Sequence, residues 1–468
     1  MLEKSEKDNE EILINENNIE QMETDKNEDN PTTKEKIIYI LKVISCILSS
    51  IIHTFGYYSI WVVGFSGIYL LSFRRHYNTS LDYRYIYCFI PLVKFALDLT
   101  SPFGGVINDK IGEKNTIVLS SSIICFSFLL LYFSRSIYID YIIMCFIGFG
   151  IAVGINITKK NACSYFMNRK ALIISIINLI PNILSSILIL YNEVFILNYN
   201  SYPSIDKLYY EEKIFMNYQK LIIFEIEILA ITCLLTFLLY FKNDPTETKK
   251  VGFNEKINND QNENNEVEKI EKNKKKITKY IKIKKAVYDK RTIRLISIVF
   301  LFFSSINLIN NNLRIDKHFF FIFGVANCIV GCISSIIFGI IGDLVQFRIL
   351  FVILSALLSA TLYILVKYFE GEFTSFIMAI LSPFIYHGFN IIFDSHIMKV
   401  YGLENYIEIW GIIKASIGIW EIFGIILNFS LQEESYVYKI IYSITGCFSL
   451  ISFGLGLFEK DDKFDYDK

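Results

Sequence analysis

Apolar residues in this chain come in long runs separated by short polar turns. The runs fall near 37–72, 84–108, 114–133, 137–159, 169–194 and 220–241. After a polar gap they resume near 292–312, 318–342, 348–368, 374–397, 405–429 and 436–458. Each approaches or exceeds the roughly 20 residues an α-helix needs to cross a hydrocarbon core. Because a bilayer offers no water to backbone groups, such runs fold as helices. The pattern predicts an all-α membrane protein of twelve transmembrane helices, six plus six. The first run is longer than one straight span needs, and Gly56, Gly64 and Gly67 predict a bend or tilt there.

The polar stretches set the expected domain organisation. Residues 1–36 are rich in Glu, Asn, Lys and Asp and carry almost no apolar pattern, which predicts a disordered tail. They lack the apolar core and small-residue cleavage site of a signal peptide, so the first span is expected to direct insertion. Helical bundles are expected over 37–241 and 291–458, with a short tail over 459–468. The segment 242–290 is Asn, Glu and Lys rich, with Lys274, Lys275 and Lys276 followed by Lys282, Lys284 and Lys285. It is expected to be a disordered linker whose basic end lies along a membrane surface. An even number of spans puts both termini on one side with this linker and with Lys110, Lys114, Lys159, Lys160, Arg169 and Lys170, predicting that side to be cytosolic. Arg74, Arg75, Arg84 and Lys207 fall on the other side and weaken the bias.

Composition narrows the class further. Of 468 residues 53% are hydrophobic and 16% aromatic, with seven prolines, above the usual globular apolar content. The formal net charge of −1 and the clustering of basic residues in the linker and at helix ends give no support for nucleic-acid binding. The nine cysteines lie almost all within apolar runs and form no Cys-x-x-Cys pair, as expected of small buried hydrophobes. His53, His76, His318, His387 and His396 are dispersed, so no catalytic or metal-binding cluster is expected. No Gly-x-x-x-x-Gly-Lys-Ser/Thr loop occurs, and no cofactor is expected.

One polar turn recurs. Gly104-Gly105-Val106-Ile107-Asn108-Asp109-Lys110-Ile111-Gly112-Glu113-Lys114 links two apolar runs, and Gly339-Ile340-Ile341-Gly342-Asp343, followed by Arg348, repeats its core in the second half. A glycine four residues ahead of an aspartate puts both on one helical face. The glycine lets a neighbouring helix approach, and the carboxylate can cap that helix or meet a cation, with Lys159 or Lys160 expected for Asp109. Gly105-x-x-x-Asp109-Lys110-x-Gly112-x-Lys114 resembles the loop signature of the major facilitator superfamily, and Gly339-x-x-x-Asp343 with Arg348 resembles its degenerate second copy. The resemblance implies two six-helix bundles related by pseudo-twofold symmetry, and a transporter.

A narrower resemblance is to the monocarboxylate and oxalate/formate branch. It rests on Gly56-Tyr57-Tyr58-Ser59, on Gly148-Phe149-Gly150 with Gly154, and on Ser164-Tyr165-Phe166-x-Asn168-Arg169-Lys170-Ala171-Leu172. Asn405-Tyr406 followed by Lys414 resembles the membrane lysine that this branch uses for a carboxylate. The sequence departs at Gly331-Cys332-Ile333-Ser334-Ser335, where oxalate-type members carry an arginine, and at Asn178, Pro181 and Asn182, where the branch prefers glycines. A single carboxylate or a zwitterion therefore fits better than a dicarboxylate. The Asn, Lys and Ile bias resembles proteins of AT-rich apicomplexan genomes such as Plasmodium.

Charged residues inside spans cost at least ~2.5 kcal/mol each, so they face partners or a polar path. Lys94 and Asp98 share a stripe with Ser101, Gly105 and Asp109. At ~1.5 Å per residue Asp98 stands about 16 Å above Asp109 and Lys414 about 14 Å above the same boundary; Lys94 and Glu421 come out at about 22 and 25 Å. The matching depths predict two cross-helix contacts, Asp98 with Lys414 and Lys94 with Glu421. The alternative is that Lys94 and Asp98 neutralise each other at i, i+4, and that Lys414 pairs with Glu421. His387, Asn390 and Asp394 form a second stripe, in which Asp394 is expected to pair with Arg348 or Lys399 and His387 either handles a proton or is a satisfied core residue.

The expected substrate-binding set is Lys414, Tyr57, Tyr58, Asn178, Asn182, Tyr386, His387 and Trp410, with Lys94, Asp98, Glu421 and Asp394 as gating or coupling groups. The expected activity is secondary transport of a small organic anion of monocarboxylate type, by proton symport or anion exchange. Its expected partners are the substrate, a coupled proton and the bilayer, and it is expected to be a monomer without enzymatic activity. Transport of an amino acid is the alternative within the fold, and a non-transporting membrane receptor is the alternative of another class. Plasma and organelle membranes are not distinguished by the sequence.

Overall fold

The computed structural model describes residues 33–65, 67–75, 77, 81, 85, 88–191, 212–241, 279–312, 317–368, 372–430, 435–460 and 462. The first half gives α1 (Thr33–Phe65), α2 (Gly67–Arg75), α3 (Phe89–Ile111), α4 (Glu113–Phe133), α5 (Ile137–Ser164), α6 (Lys170–Tyr191) and α7 (Glu212–Leu239). A short helix α8 (279–287) precedes the second half. There follow α9 (Lys290–Asn312), α10 (Lys317–Leu344), α11 (Phe347–Tyr368), α12 (Glu372–Val400), α13 (Tyr406–Ser430) and α14 (Ser435–Gly456). Twelve long helices thus occupy the twelve apolar runs; the largest discrepancy is α7, which starts at Glu212 rather than near 220. Among the described residues, nine contain a stretch long and apolar enough to cross a membrane. Their outward faces carry exposed Phe126, Phe133, Ile142, Leu234, Ile353 and Leu450, apolar surface that suits lipid. The chain is an integral, multi-pass membrane protein.

The first run holds two described helices, one ending at Phe65 and the next starting at Gly67, and the position between them lies outside the described residues. Beyond it, Arg74 is fully buried, and its guanidinium donates to Asp140 and to the carbonyl oxygens of Leu131 and Ser134. Arg75 donates to the Leu81 carbonyl at 2.8 Å. Both arginines are thus bound within the first bundle. All nine cysteines are free thiols.

Among the described residues, two helix pairs make the broadest contact between the bundles: α3 lies along α13, and α6 along α10. Each seam is built on a repeated glycine. A Cβ on Gly105 would stand 2.6 Å from Cγ of Glu408, and one on Gly339 would collide with the Ser175 hydroxyl. Gly112, which caps α3 and opens α4, has φ +83°, a conformation L side chains rarely adopt, and this lets the signature turn reverse in one residue. At the end of the molecule carrying these turns, called here the signature end, one apolar core crosses the seam. Ile157, Ala171 and Ile174 of the first bundle pack in the same cluster as Ile392, Ile397 and Ile409 of the second. Farther away the first bundle has its own core, around Ile124, Phe128 and Ile147.

Residues 1–32, most of 459–468 and 242–278 lie outside the described residues. The end of the expected linker is corrected. Residues 279–287 form a helix because Ile283 and Ala286, three apart on one face, are buried in the core beside α9. Glu459, expected in a free tail, is also buried. Arg291 donates to it at 2.9 Å, and Arg294 and His396 lie 3.7 and 3.4 Å away. Burial alone would raise its pKa, but His396 and Arg291 outweigh that and hold it below the ordinary carboxylate range.

Candidate functional site at the seam between the bundles

The second copy of the signature shows most simply what the motif does. Asp343, at the end of α10, accepts hydrogen bonds from the Ala171 and Leu172 backbone N–H groups, both at 3.0 Å. It thereby caps α6 of the opposite bundle, where the helix dipole favours negative charge. Lys399 stands 3.3 Å from the same carboxylate and donates to the Gly342 carbonyl at 3.0 Å. Lys170 donates to the Met398 carbonyl at 2.9 Å, a further tie between the bundles.

The first copy is built differently. Asp109 receives Lys279 at 2.9 and 3.0 Å, and the same ammonium lies 2.5 Å from Glu408 in the first turn of α13. The expectation of Lys159 or Lys160 for Asp109 is therefore corrected. Lys159 lies 3.8 Å from Asp394, and Lys160 3.9 Å from Glu113. Burial works against a charged Lys279, yet Glu408 and Asp109 hold its pKa above the ordinary lysine value. Of the remaining signature positions, Lys114 lies over the Phe237 ring at 5.3 Å, while Lys110 and Arg348 are exposed.

Mid-seam, α12 and α13 carry most of the chemistry. Lys414 is buried and donates to Asn390 Oδ1 at 3.2 Å, with its ammonium 4.0 Å from the centre of the Phe303 ring and 5.4 Å from that of Trp410. Trp410 donates its indole N–H to Asp394 at 2.6 Å. Asp394 thus meets Trp410 and Lys159; the expected partners Arg348 and Lys399 are spent elsewhere, on solvent and on Asp343. Lys94 lies 5.7 Å from the Tyr386 ring centre, and Asn307 donates to Glu421.

The direct contacts expected for Asp98 with Lys414 and for Lys94 with Glu421 are not made within 4.0 Å, nor is the i, i+4 pair of Lys94 with Asp98. The groups remain electrostatic neighbours, since Asp98 feels Lys414, Glu421 and Lys94. The physical reason is desolvation. A bare buried ion pair loses the hydration of both charges, whereas Asn390 and Phe303 solvate Lys414, Asn307 solvates Glu421 and the Tyr386 ring faces Lys94.

Tyr58 feels Tyr386 and Asp394 and so belongs with this group. Tyr57 does not join it, because its buried hydroxyl bonds His53 at 2.9 Å and Ser120 at 2.6 Å inside the first bundle. His53 in turn bonds Thr158 at 3.2 Å and is a satisfied core residue. Asn178, Asn182 and His387 lie buried at the second seam with side-chain atoms that have no hydrogen-bond partner among the described residues. Sequence reasoning missed Lys279. Its signal was the spacing of Ile283, Ala286 and Val287 inside a lysine-rich stretch.

No protein-family model matches the chain, and no curated protein does. Solved structures match along most of its length. The fold they define is the major facilitator fold. The chain is similar to the E. coli proton:xylose symporter XylE bound to 6-bromo-6-deoxy-D-glucose, at 10% identity over 88% of this chain and 94% of that one, TM-score 0.62. It is similar to the E. coli transporter FucP in the outward conformation, at 11% identity over 88% and 98%, TM-score 0.60. It is also similar to the human organic anion transporter MFSD10, at 9% identity over 91% and 100%, TM-score 0.59.

Proposed function

We propose that the chain is a secondary active transporter of a small organic anion, carried by alternating access as proton symport or anion exchange. The observation that carries the reading is Lys414. Its ammonium is buried at mid-span on a helix of the seam, among an amide oxygen and aromatic rings, with no carboxylate of the described residues within 4.0 Å. A substrate carboxylate completes that site at lower desolvation cost than a fixed protein carboxylate would, and leaves with the substrate. The likeness to an organic anion transporter and to proton symporters supports the class, and the monocarboxylate-type motifs support a single carboxylate. The composition supports an apicomplexan source.

In this reading the signature end is cytosolic, together with both termini and the basic linker, and opening to that side separates Lys279 from Asp109 or from Glu408. Asp98, close to Lys414 yet not paired with it, is the group placed to take a coupled proton. The acidic neighbours Asp98 and Glu421 favour an amino acid as the second reading, since they could receive its ammonium end.

The test is counterflow uptake in proteoliposomes against a panel of carboxylates and amino acids, wild type beside Lys414→Ala. Uptake of the preferred anion is expected to fall at least about tenfold, the equivalent of one lost charge-assisted hydrogen bond. Unchanged uptake of every anion would remove Lys414 from the site.

A further inference from the structure

At the second seam a set of polar atoms is buried with no hydrogen-bond partner among the described residues: Asn178 Oδ1, both amide atoms of Asn182, Ser185 Oγ, Ser335 Oγ and His387 Nε2. The side chains come from α6, α10 and α12, so both bundles contribute. Positions 178, 182 and 185 follow at steps of four and three and share one face of α6. Opposite them Gly331 leaves bare backbone: a Cβ there would stand 2.9 Å from His387 Nε2 and 3.1 Å from Asn182 Nδ2. Those two atoms are therefore no farther apart than a single hydroxyl can bridge, about 6 Å at ~3 Å per hydrogen bond.

Buried polar groups left unpaired destabilise a fold, and apolar residues of similar shape would serve packing better. A set of them on three helices calls for a ligand that completes it. None of these groups is an acid or a lysine, and the amide and hydroxyls both donate and accept, which is the chemistry of hydroxyl recognition. His387 also lies one turn from Asn390, the residue holding Lys414, and three residues of helix rise about 4.5 Å.

We infer that this seam holds a hydroxyl subsite one helical turn from the cationic anchor, and that the substrate is a polyhydroxylated carboxylate, a sugar acid. The inference rests on Lys414 being the carboxylate anchor. In a three-carbon hydroxy acid the carboxyl carbon and the hydroxyl oxygen lie only ~2.5 Å apart, so a chain of about four to six carbons is needed to reach both places. In this structure α6 and α10 close over these atoms, and entry of the substrate requires the two helices to part.

The experiment uses the full chain in proteoliposomes, with gluconate, hexanoate and glucose as counterflow substrates. Wild type is expected to take up gluconate at least about tenfold faster than hexanoate, as one good hydrogen-bonded hydroxyl provides. In Asn182→Leu the gluconate-to-hexanoate ratio is expected to fall towards one, and in Lys414→Ala both acids are expected to be lost. Equal wild-type rates for the two acids, or a ratio unchanged in Asn182→Leu, would overturn the hydroxyl subsite while leaving the anchor in place. Glucose uptake matching gluconate and insensitive to Lys414→Ala would overturn the anchor instead. If Asn182→Leu does not fold, thermal stabilisation of wild type decides: a larger shift with gluconate than with hexanoate supports the subsite, and equal shifts overturn it.

Discussion

The two signature copies join the bundles by different electrostatics on the same backbone plan. In both, a glycine admits a side chain of the facing helix, Glu408 at Gly105 and Ser175 at Gly339. At the second seam the facing helix start is free of acids, and Asp343 caps it through two backbone N–H groups. At the first, Glu408 already occupies the opening turn of α13, so Asp109 meets a like charge and a cation must be brought in. That cation comes from the segment between the bundles. Duplication has kept the steric part of the motif and let the charge part diverge: the first seam draws its cation from the segment between the bundles, the second from α12.

This difference makes predictions of graded size. The largest effect is expected from Lys279→Ala, which leaves Asp109 and a mostly buried Glu408 facing each other. A loss of about 2 kcal/mol is expected, read as a lower thermal midpoint in detergent, with the signature end more open to thiol or proteolytic probes. A midpoint equal to wild type would break the comparison. Asp343→Asn should cost less, about 1 kcal/mol, because its amide oxygen can still accept one of the two N–H bonds, and what is lost is the other bond and the charge–dipole attraction. A larger loss than for Lys279→Ala would reverse the ranking of the seams.

Smaller still is the effect of adding Glu408→Gln to Lys279→Ala, which removes the repulsion and should recover about 0.5–1 kcal/mol. Failure to recover would mean that Glu408 and Asp109 do not oppose each other. The smallest effect is that of pH on the intact latch. Lys279 is held above its ordinary value, so its contribution is fully present below about 10.4 and is lost only as pH rises through the raised pKa. Between about pH 6 and 9 the wild-type seam should therefore be flat in a thermal-shift series, and a slope there would point to another titrating group.

The helices were legible because a bilayer converts apolar length directly into a span. The seam partners were partly legible. Depth along a helix follows from counting residues, which placed Asp98 and Lys414 in one electrostatic neighbourhood. Counting does not give rotation about the helix axis, and rotation decides whether a lysine meets a carboxylate or Asn390 and Phe303. Lys279 was hidden for another reason. Its partners are 129 and 170 residues distant, and its own surroundings have the composition of an unfolded linker.

Arg74 carries a mechanical consequence. Its guanidinium, sealed against Asp140 and two carbonyls, fastens the short helix α2 to the start of α5 and the end of α4. This rivet lies at the end of the first bundle farthest from the signature turns. A bundle that rocks about a midpoint works as a lever, and a lever loses travel wherever it flexes. Under the proposed alternating access, the pair is expected to stiffen the arm that moves farthest, so that a small displacement at Lys279 is returned at the opposite face as motion of the whole bundle.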